Sequence, residues 1–448
     1  MASLEDRIKD FARRQGVEVV GIAGPERLDG PPSLDLSYTM PGARSVVAMA
    51  LPMHEGALYE FLAKRSPAPH NLDQFLNYQR LQRIGKNLAD HLVSLGHRAV
   101  GVPLSADYRR AVYVFRPRPA FSLRLGAIAA GIAAQGWSGN AVTKEYGASV
   151  YLGAVLTDAL LESDPAPPPR HLTDGVCAKC KRCVRACPTG MFVAGESEYL
   201  LLNGELLPRG RRRNVDLCHI SCFGLHSLSL DRRFSNWGLH WIEDWVERGP
   251  RPESRVRTAW DMFKRGLTVG DAWPRFDVLR VLCSKLWPEA LLEGIPEVDD
   301  LPEDEDERYR VVAELVRRLG IGGIDAYPFP IICGQCALVC GPTLEETARR
   351  YRALADAGIV VPGPGGRMVR VDTFEEAREL RRRFPLRTRP GAKARDALAS
   401  VVNWHRHYGG FEPRTLWQSR FYALRLRAAV RAEAGARRAA RGPQGKGR

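Results

Sequence analysis

The chain has 448 residues, of which 45% are hydrophobic and 26% are charged, and its formal net charge is +15. The length exceeds that of most single domains, and the composition is that of ordinary globular proteins, which argues against extensive disorder and against a membrane-embedded class. Ten Lys and Arg against two Glu in residues 411–448 account for about half of the excess charge.

The part of the chain before a proline-rich connector at 164–170 has the apolar periodicities of helices and strands. The predicted elements are, in chain order, a helix at 5–15, strands at 17–23 and 45–51, a helix at 72–95, a strand at 111–115 and a helix at 123–134. A run of prolines cannot continue a helix, so the connector marks a domain boundary. We therefore predict an α/β unit over residues 1–165.

The N-terminal residues predict a cytoplasmic protein with no membrane partner. Acidic and basic residues alternate along an amphipathic helix that lacks the apolar core of a signal peptide. The longest apolar stretch, 125–134, is too short to span a bilayer. In a reducing cytoplasm the ten cysteines are not expected to form disulfides, so metal or redox chemistry is the better interpretation.

Four cysteines follow the connector at the spacing of bacterial ferredoxins. Cys177, Cys180, Cys183 and Cys187 are separated by two, two and three residues, and Pro188 follows the last. Three closely spaced thiolates can bind one [4Fe–4S] cluster, while the fourth is directed to a second cluster. The alternative is a structural zinc site, but zinc sites usually pair two short Cys-x-x-Cys segments rather than four thiols in eleven residues.

A second group of cysteines, Cys333, Cys336 and Cys340, provides the partner motif. Four thiols and three make seven, and two clusters need eight, so Cys218 or Cys222 is required as well. The predicted ligands are Cys177, Cys180, Cys183 and Cys340 for one cluster, and Cys187, Cys333, Cys336 and Cys218 for the other, with Cys222 as the alternative to Cys218.

The region after Cys340 predicts a helix, a hairpin around residues 363–366, a further helix at 373–384 and a basic tail at 411–448. The composition of this tail is typical of a disordered, solubilising segment. The alternative is RNA binding, because aromatic residues lie among its arginines.

Several motifs in the first half resemble those of epoxyqueuosine reductases and, in part, of the related corrinoid-dependent reductive dehalogenases. They are Pro41-Gly42-Ala43-Arg44-Ser45-Val46-Val47, Gly136-Trp137-Ser138-Gly139-Asn140, Glu145-Tyr146-Gly147 and Tyr151-Leu152-Gly153-Ala154-Val155-Leu156-Thr157-Asp158. The order of the cysteine motifs is similar as well.

This resemblance implies an α+β chain in which a nitroreductase-like α/β domain binds cobalamin and precedes a two-cluster ferredoxin-like domain. The implied domains are 1–165 for the corrinoid, 166–345 for the clusters with a large, mostly helical insert at 223–332, and a C-terminal α/β extension at 346–448. The implied corrinoid contacts are Trp137, Asn140, Tyr146 and Gly147. The implied electron donor is a reduced ferredoxin or flavodoxin-type protein.

The region upstream of the Gly-Trp loop departs from the resemblance. Epoxyqueuosine reductases have an aspartate acid upstream of the Gly-Trp loop, whereas residues 119–124 of this chain contain no carboxylate. The proton-donor candidates that remain are Tyr113, Ser122 and Tyr146, with Arg124 polarising the leaving group.

The resemblance therefore implies an iron–sulfur, cobalamin-dependent reductase that cleaves a small or medium-sized substrate by dehalogenation, epoxide deoxygenation or a related elimination. One alternative is epoxyqueuosine reduction in tRNA, with the basic tail contacting the nucleic acid. The other is a two-cluster electron-transfer protein without a corrinoid.

Overall fold

The structure is a computed structural model that combines helices and strands. It describes residues 2–66, 68–102, 108–109, 118–164, 177–187, 191–212, 294–304, 307, 310–311, 314, 334–364, 368–384 and 413–440. Several predictions lie outside these residues: the strand at 111–115, most of the insert at 223–332, and the residues Tyr113, Cys218, Cys222, Cys283 and Cys333.

The described helices and strands are numbered here in chain order. The helices are α1 (Leu4–Arg14), α2 (Glu55–Leu62), α3 (Ala68–Ser94), α4 (Leu123–Ala129), α5 (Arg182–Arg185), α6 (Gln335–Leu338), α7 (Leu344–Ala355), α8 (Phe374–Arg383) and α9 (Pro413–Ala440). The strands are β1 (Val19–Ala23), β2 (Ser45–Pro52), β3 (Ala99–Gly101), β4 (Tyr108–Arg109), β5 (Arg118–Pro119), β6 (Ala134–Gln135), β7 (Ala141–Val142), β8 (Val150–Thr157), β9 (Phe192–Leu202), β10 (Glu205–Arg212), β11 (Ile359–Pro362) and β12 (Met368–Val371).

A four-stranded antiparallel sheet forms the centre of the described N-terminal part, in the order β1-β2-β8-β3. Strand β2 is buried along almost its whole length because both faces of the sheet are covered. Its alternate side chains enter two cores: Val46 and Ala48 pack toward α4, and Val47 and Met49 pack toward α1 and α3. The predicted strands at 17–23 and 45–51 and the helices at 5–15 and 72–95 are thereby confirmed within a few residues.

Helix α4 ends earlier than the sequence predicted. The expected helix ran to residue 134, but the structure ends it at Ala129, and β6 begins at Ala134. Gly131 has a φ of 79°, and the amide of Ile132 donates to the carbonyl of Ala127. This is a glycine-dependent helix end, so the apolar periodicity beyond it belongs to a loop and a strand.

A two-stranded hairpin that the sequence analysis did not predict follows the first cysteine motif. Strands β9 and β10 pair antiparallel, and the register shifts between Gly210 and Arg212, which is a β-bulge. The hairpin packs on α9 and on the N-terminal core, which includes Leu202 and Leu207.

The two cysteine motifs share one apolar core with the N-terminal part of the chain. Cys183 of the first motif and Leu338 of the second pack with Leu58, Phe61 and Leu62 of α2. The described cysteine region therefore packs on α2.

The C-terminal part agrees with the sequence in one respect and differs in another. Strands β11 and β12 form the hairpin predicted around residues 363–366, and α8 occupies the predicted helix at 373–384. The disorder predicted for the basic tail is wrong for residues 413–440, which form α9. Alanine, leucine and arginine have high helix propensities, and the packing of α9 against the β9–β10 hairpin stabilises the helix further.

None of the helices in the described part of the chain combines the length and the apolar composition needed to cross a bilayer.

Candidate metal centre

Both cysteine motifs begin a short helix after a residue with a left-handed backbone. Helix α5 follows Lys181, whose φ is 57°, and α6 follows Gly334, whose φ is 61°. Lys179 is left-handed as well, with a φ of 50°. Alternating left- and right-handed residues turn successive backbone N–H groups toward one point, an arrangement that binds anionic groups and is common at iron–sulfur sites.

Thiols from the two motifs come together although they are far apart in the sequence. Burial first, and then the nearby thiols Cys336, Cys340, Cys177 and Cys180, raise the pKa of Cys183 well above its ordinary value. Burial and the thiols of Cys177, Cys180 and Cys336 likewise raise the pKa of Cys340 to about 12. Positive metal ions would favour the thiolates of such a group and offset their mutual repulsion.

The described cysteines are of the residue type that binds an iron–sulfur cluster. The described cysteines Cys177, Cys180, Cys183, Cys187, Cys336 and Cys340 form no disulfides. Within the described ranges, no three His, Cys, Asp or Glu side chains are placed to hold one metal ion. In a cubane each thiolate binds a different iron, so its ligands surround the cluster instead of meeting at one atom.

The segment containing Gly147 lies directly on the second cysteine motif. Gly147 has a φ of 65°, and a Cβ there would collide with the carbonyl oxygen of Cys340 and lie 2.5 Å from the carbonyl carbon of Gly341. The amide of Ala148 donates to the Cys340 carbonyl at 2.9 Å. Gly147 is one of the predicted corrinoid contacts, and on this side it lies against protein backbone. Its glycine allows the close approach of two chain segments.

The Gly136–Asn140 loop also reaches the thiols. Asn140 Nδ2 lies 3.3 Å from Cys336 Sγ and donates a hydrogen bond to it. Trp137 packs against the core that contains Cys183, and Lys181 Nζ lies 5.9 Å from the centre of its ring. Hydrogen bonds to ligand sulfurs tune the electronic properties of a metal centre, so Asn140 is placed to affect any cluster bound here.

The catalytic candidates occupy different surroundings. Tyr146 donates its hydroxyl to Glu18 Oε2 at 2.8 Å, and this bond, followed by burial, raises the pKa of Tyr146. Ser122 caps the N-terminus of α4, where its Oγ accepts from the Leu125 amide at 3.4 Å. Arg124 donates to the carbonyl of Gly139 at 3.2 Å. Ser122 thus caps a helix, whereas the hydroxyl of Tyr146 lies beside a carboxylate.

The sequence analysis missed a group of arginines near the same loop. Arg209 and Arg212, on β10, lie beside Gly139, where a Cβ would collide with Arg212 and lie 3.7 Å from Arg209 Cδ. The signal was available as the basic run at 209–213. A basic run alone, however, does not reveal which of its side chains point into the protein.

Comparisons with known proteins identify sequence relatives. A curated epoxyqueuosine reductase from Gloeobacter violaceus is 31% identical over 231 residues, covering 43% of this chain and 62% of that protein. One from Atelocyanobacterium thalassa is 24% identical over 230 residues, covering 43% and 65%. No protein-family model matches the chain. The matched part thus spans less than two thirds of either relative.

Solved structures give weaker similarity. The epoxyqueuosine reductase of Streptococcus thermophilus has a TM-score of 0.37 at 14% identity, covering 95% of this chain and 98% of that one. A catabolic reductive dehalogenase has a TM-score of 0.34 at 15% identity, covering 48% and 28%. TM-scores this low carry no argument about the fold.

The class that emerges is an α+β protein with a partly buried group of thiols drawn from two separated motifs. Within that class, the chain is similar in sequence to curated epoxyqueuosine reductases, the proteins that its motifs resemble.

Proposed function

We propose that this chain is an iron–sulfur, cobalamin-dependent oxidoreductase that performs reductive cleavage. The observation that carries the proposal is the meeting of Cys177, Cys180 and Cys183 with Cys340, beside a loop that donates a hydrogen bond to Cys336. The relatives named epoxyqueuosine reductase support the same reaction class.

The proposed ligands for the first [4Fe–4S] cluster are Cys177, Cys180, Cys183 and Cys340. Those for the second are Cys187, Cys333, Cys336 and either Cys218 or Cys222. Such clusters transfer single electrons, and a reduced ferredoxin or flavodoxin-type protein is the proposed donor.

The proposed cobalamin site lies between the Gly136–Asn140 loop and the segment with Tyr146. One observation fits the anionic phosphodiester of such a ligand: the Nε atoms of Arg209 and Arg212 are buried beside this loop without a hydrogen-bond acceptor among the described residues. When bound, cobalamin would supply the reductive cobalt chemistry. Residues 1–165 are the proposed corrinoid-binding domain, and 166–345 the proposed cluster domain.

Tyr146 is the proposed proton donor. Its raised pKa keeps the hydroxyl protonated at neutral pH, and Glu18 holds the hydroxyl in one orientation. Tyr146→Phe should reduce turnover at unchanged cobalt content, and unchanged turnover would assign the proton to another group.

The experiment for the cofactors is anaerobic reconstitution with iron, sulfide and cobalamin, followed by metal analysis and cobalt EPR. We expect about eight irons and about one cobalt per chain. Two clusters without stoichiometric cobalt at saturating cobalamin would instead identify a corrinoid-free electron-transfer protein.

The substrate is proposed to be a small or medium-sized molecule, with epoxyqueuosine in tRNA as the second candidate. Two observations favour the tRNA: the names of the curated relatives, and α9, which carries an exposed Trp417 and Phe421 among arginines. If tRNA is the substrate, its affinity should fall steeply with salt, and deletion of 411–448 should weaken it. Absence of tRNA binding at low salt would leave a small molecule as the proposed substrate.

A further inference from the structure

Three arginines converge on one residue of the Gly136–Asn140 loop. Arg124 Nη1 donates to the carbonyl of Gly139 at 3.2 Å. Arg212 Nη2 donates to the carbonyl of Ser138, the preceding residue, at 3.1 Å. Arg209 approaches Gly139 from the same hairpin strand. Gly139 has a φ of 84° and no side chain, so the guanidinium groups can come close to the loop backbone.

The bulge in β10 explains how two arginines three positions apart reach the same loop. In a regular strand, side chains three residues apart point to opposite faces. The register shift between Gly210 and Arg212 inserts an extra residue and redirects the chain beyond it. Arg211, the residue between, pairs instead with Glu196 and is exposed.

Two of these arginines carry a buried nitrogen without an acceptor among the described residues. Burial, followed by the guanidinium groups of Arg212 and Arg124, lowers the pKa of Arg209, and Glu198 is the carboxylate that opposes this effect. Arg209 Nε lies 2.8 Å from Glu198 Oε1, but it is not aligned for a hydrogen bond, since this nitrogen is buried and lacks an acceptor. The buried Nε of Arg212 lacks one too. Two buried guanidinium nitrogens on β10 thus have no acceptor among the described residues.

An anionic ligand would complete this arrangement. Arginine has a planar fork of donors that matches the oxygens of phosphate, and hydrogen bonds between ionised groups are the strongest kind. Arg124 is exposed, so the group is open to solvent on its side. Asn140, which directly follows Gly139, donates to Cys336, so a ligand held here would lie next to the thiol site.

We propose that Arg124, Arg209 and Arg212 bind a phosphodiester group of a ligand that is positioned beside the thiols. The proposal rests on the proposed function, because both ligands named there carry such a group. RNA has one at every nucleotide, and cobalamin has one in its nucleotide loop. Tyr422 of α9 lies near Arg209, so the site also adjoins the basic helix.

The test uses the full-length protein with its iron–sulfur clusters reconstituted but without added cobalamin, and the double variant Arg209→Gln/Arg212→Gln in the same form. Arg211→Gln is the matched control, since it removes a charge from the same strand but not from the loop. Affinity is measured for a stem-loop RNA by fluorescence anisotropy, and for cobalamin and cobinamide by absorbance titration. Cobinamide is the useful probe because it keeps the corrin ring and lacks the phosphodiester.

We expect the double variant to lose affinity by at least about tenfold relative to Arg211→Gln. A loss for RNA with unchanged cobalamin affinity identifies the phosphodiester as that of the nucleic acid. A loss for cobalamin but not for cobinamide identifies it as that of the nucleotide loop. Equal affinities of the double variant and the control for both RNA and cobalamin would overturn the proposal.

Two further measurements keep the result independent of folding and of the proposed function. Circular dichroism and iron content of the double variant should match those of the wild type. If the double variant is unstable, Arg124→Gln at the exposed side should still lower affinity about threefold, and no change would overturn the proposal. Missing cobalt would contradict the proposed function but would leave the RNA measurement intact as a test of the arginines.

Discussion

Lys179, Lys181 and Gly334 have left-handed backbones next to predicted cluster ligands. Glycine adopts this conformation readily, so its role at Gly334 could be predicted from the residue type. The two lysines could not, because in the sequence they indicate only charge. Left-handed lysines store about 1 kcal/mol each, and such strain is typical of functional sites. The ligand spacing was therefore readable from the sequence, whereas the backbone that presents the ligands was not.

Asn140 should set the potential of a cluster bound by Cys336. Asn140→Leu removes the donor to Cys336 Sγ and should lower the reduction potential by about 40 mV, the equivalent of about 1 kcal/mol for one electron. The shift is measured by EPR-monitored redox titration. Asn140→Gln, which keeps the amide, should shift it less, and identical potentials for all three proteins would show that the bond has no effect.

Gly147→Ala should destabilise the protein far more than an alanine at another left-handed glycine. A Cβ at Gly147 meets the backbone of Cys340 and Gly341, which cannot move away cheaply. We expect a loss of about 3 kcal/mol in the free energy of unfolding, with reduced iron content. Gly195 is the matched control: its φ is 74° and its Cβ position is open. Gly195→Ala should cost only about 1 kcal/mol, and equal costs would contradict the close contact.

His70 should make the protein sensitive to acid. It is buried against Phe61, and burial lowers its pKa to about 4. Below its ordinary pKa of 6.5 the histidine of the unfolded chain takes up a proton, whereas the buried His70 stays neutral. The contribution of His70 to the free energy of unfolding is therefore fully present above pH 6.5 and is lost as the pH drops toward 4. The full loss is about 3 kcal/mol. Denaturation curves at pH 7 and pH 5 should show a larger loss of the free energy of unfolding in the wild type than in His70→Gln. An equal loss in the two proteins would contradict this prediction.

At the scale of elements, two differences between sequence and structure have local causes. The end of α4 was predictable, because Gly131 is a residue that commonly ends helices, but the apolar pattern continued beyond it. The order in α9 was not predictable from composition alone. Its partners lie far away in the chain: Tyr422 accepts from the Leu201 amide at 2.9 Å, and Arg425 pairs with Asp29.

Helix α9 should detach when its carboxylate partners are removed. Arg414 Nη2 lies 2.8 Å from Asp35 Oδ2, and Arg425 pairs with Asp29. Surface ion pairs contribute up to about 1 kcal/mol each, so Asp29→Asn/Asp35→Asn should speed amide exchange in the first half of α9 about tenfold. Glu433→Gln is the control, since its partner Arg437 lies on the same helix. Exchange no faster than in this control would mean that other contacts hold α9.

At the scale of the whole molecule, the thiol site is assembled from segments separated by most of the insert. The sequence predicted this pairing because eight ligands are needed and no single motif supplies them. It did not predict the shared core, in which Cys183 and Leu338 pack with Phe61 of α2. Hydrophobic residues of a helix do not reveal their distant partners, so the dependence of the metal site on the N-terminal part required the structure.

The most direct test of the account is the effect of Cys340→Ala on the cluster attributed to Cys177, Cys180 and Cys183. Anaerobically reconstituted wild-type protein should contain about eight irons per chain and give two reducible signals by EPR, whereas Cys340→Ala should keep about four. Cys283→Ala, which removes a cysteine outside the predicted ligand set, should behave as the wild type. The result that would contradict the account is full iron content in Cys340→Ala, or loss of only the signal that Cys187→Ala also removes.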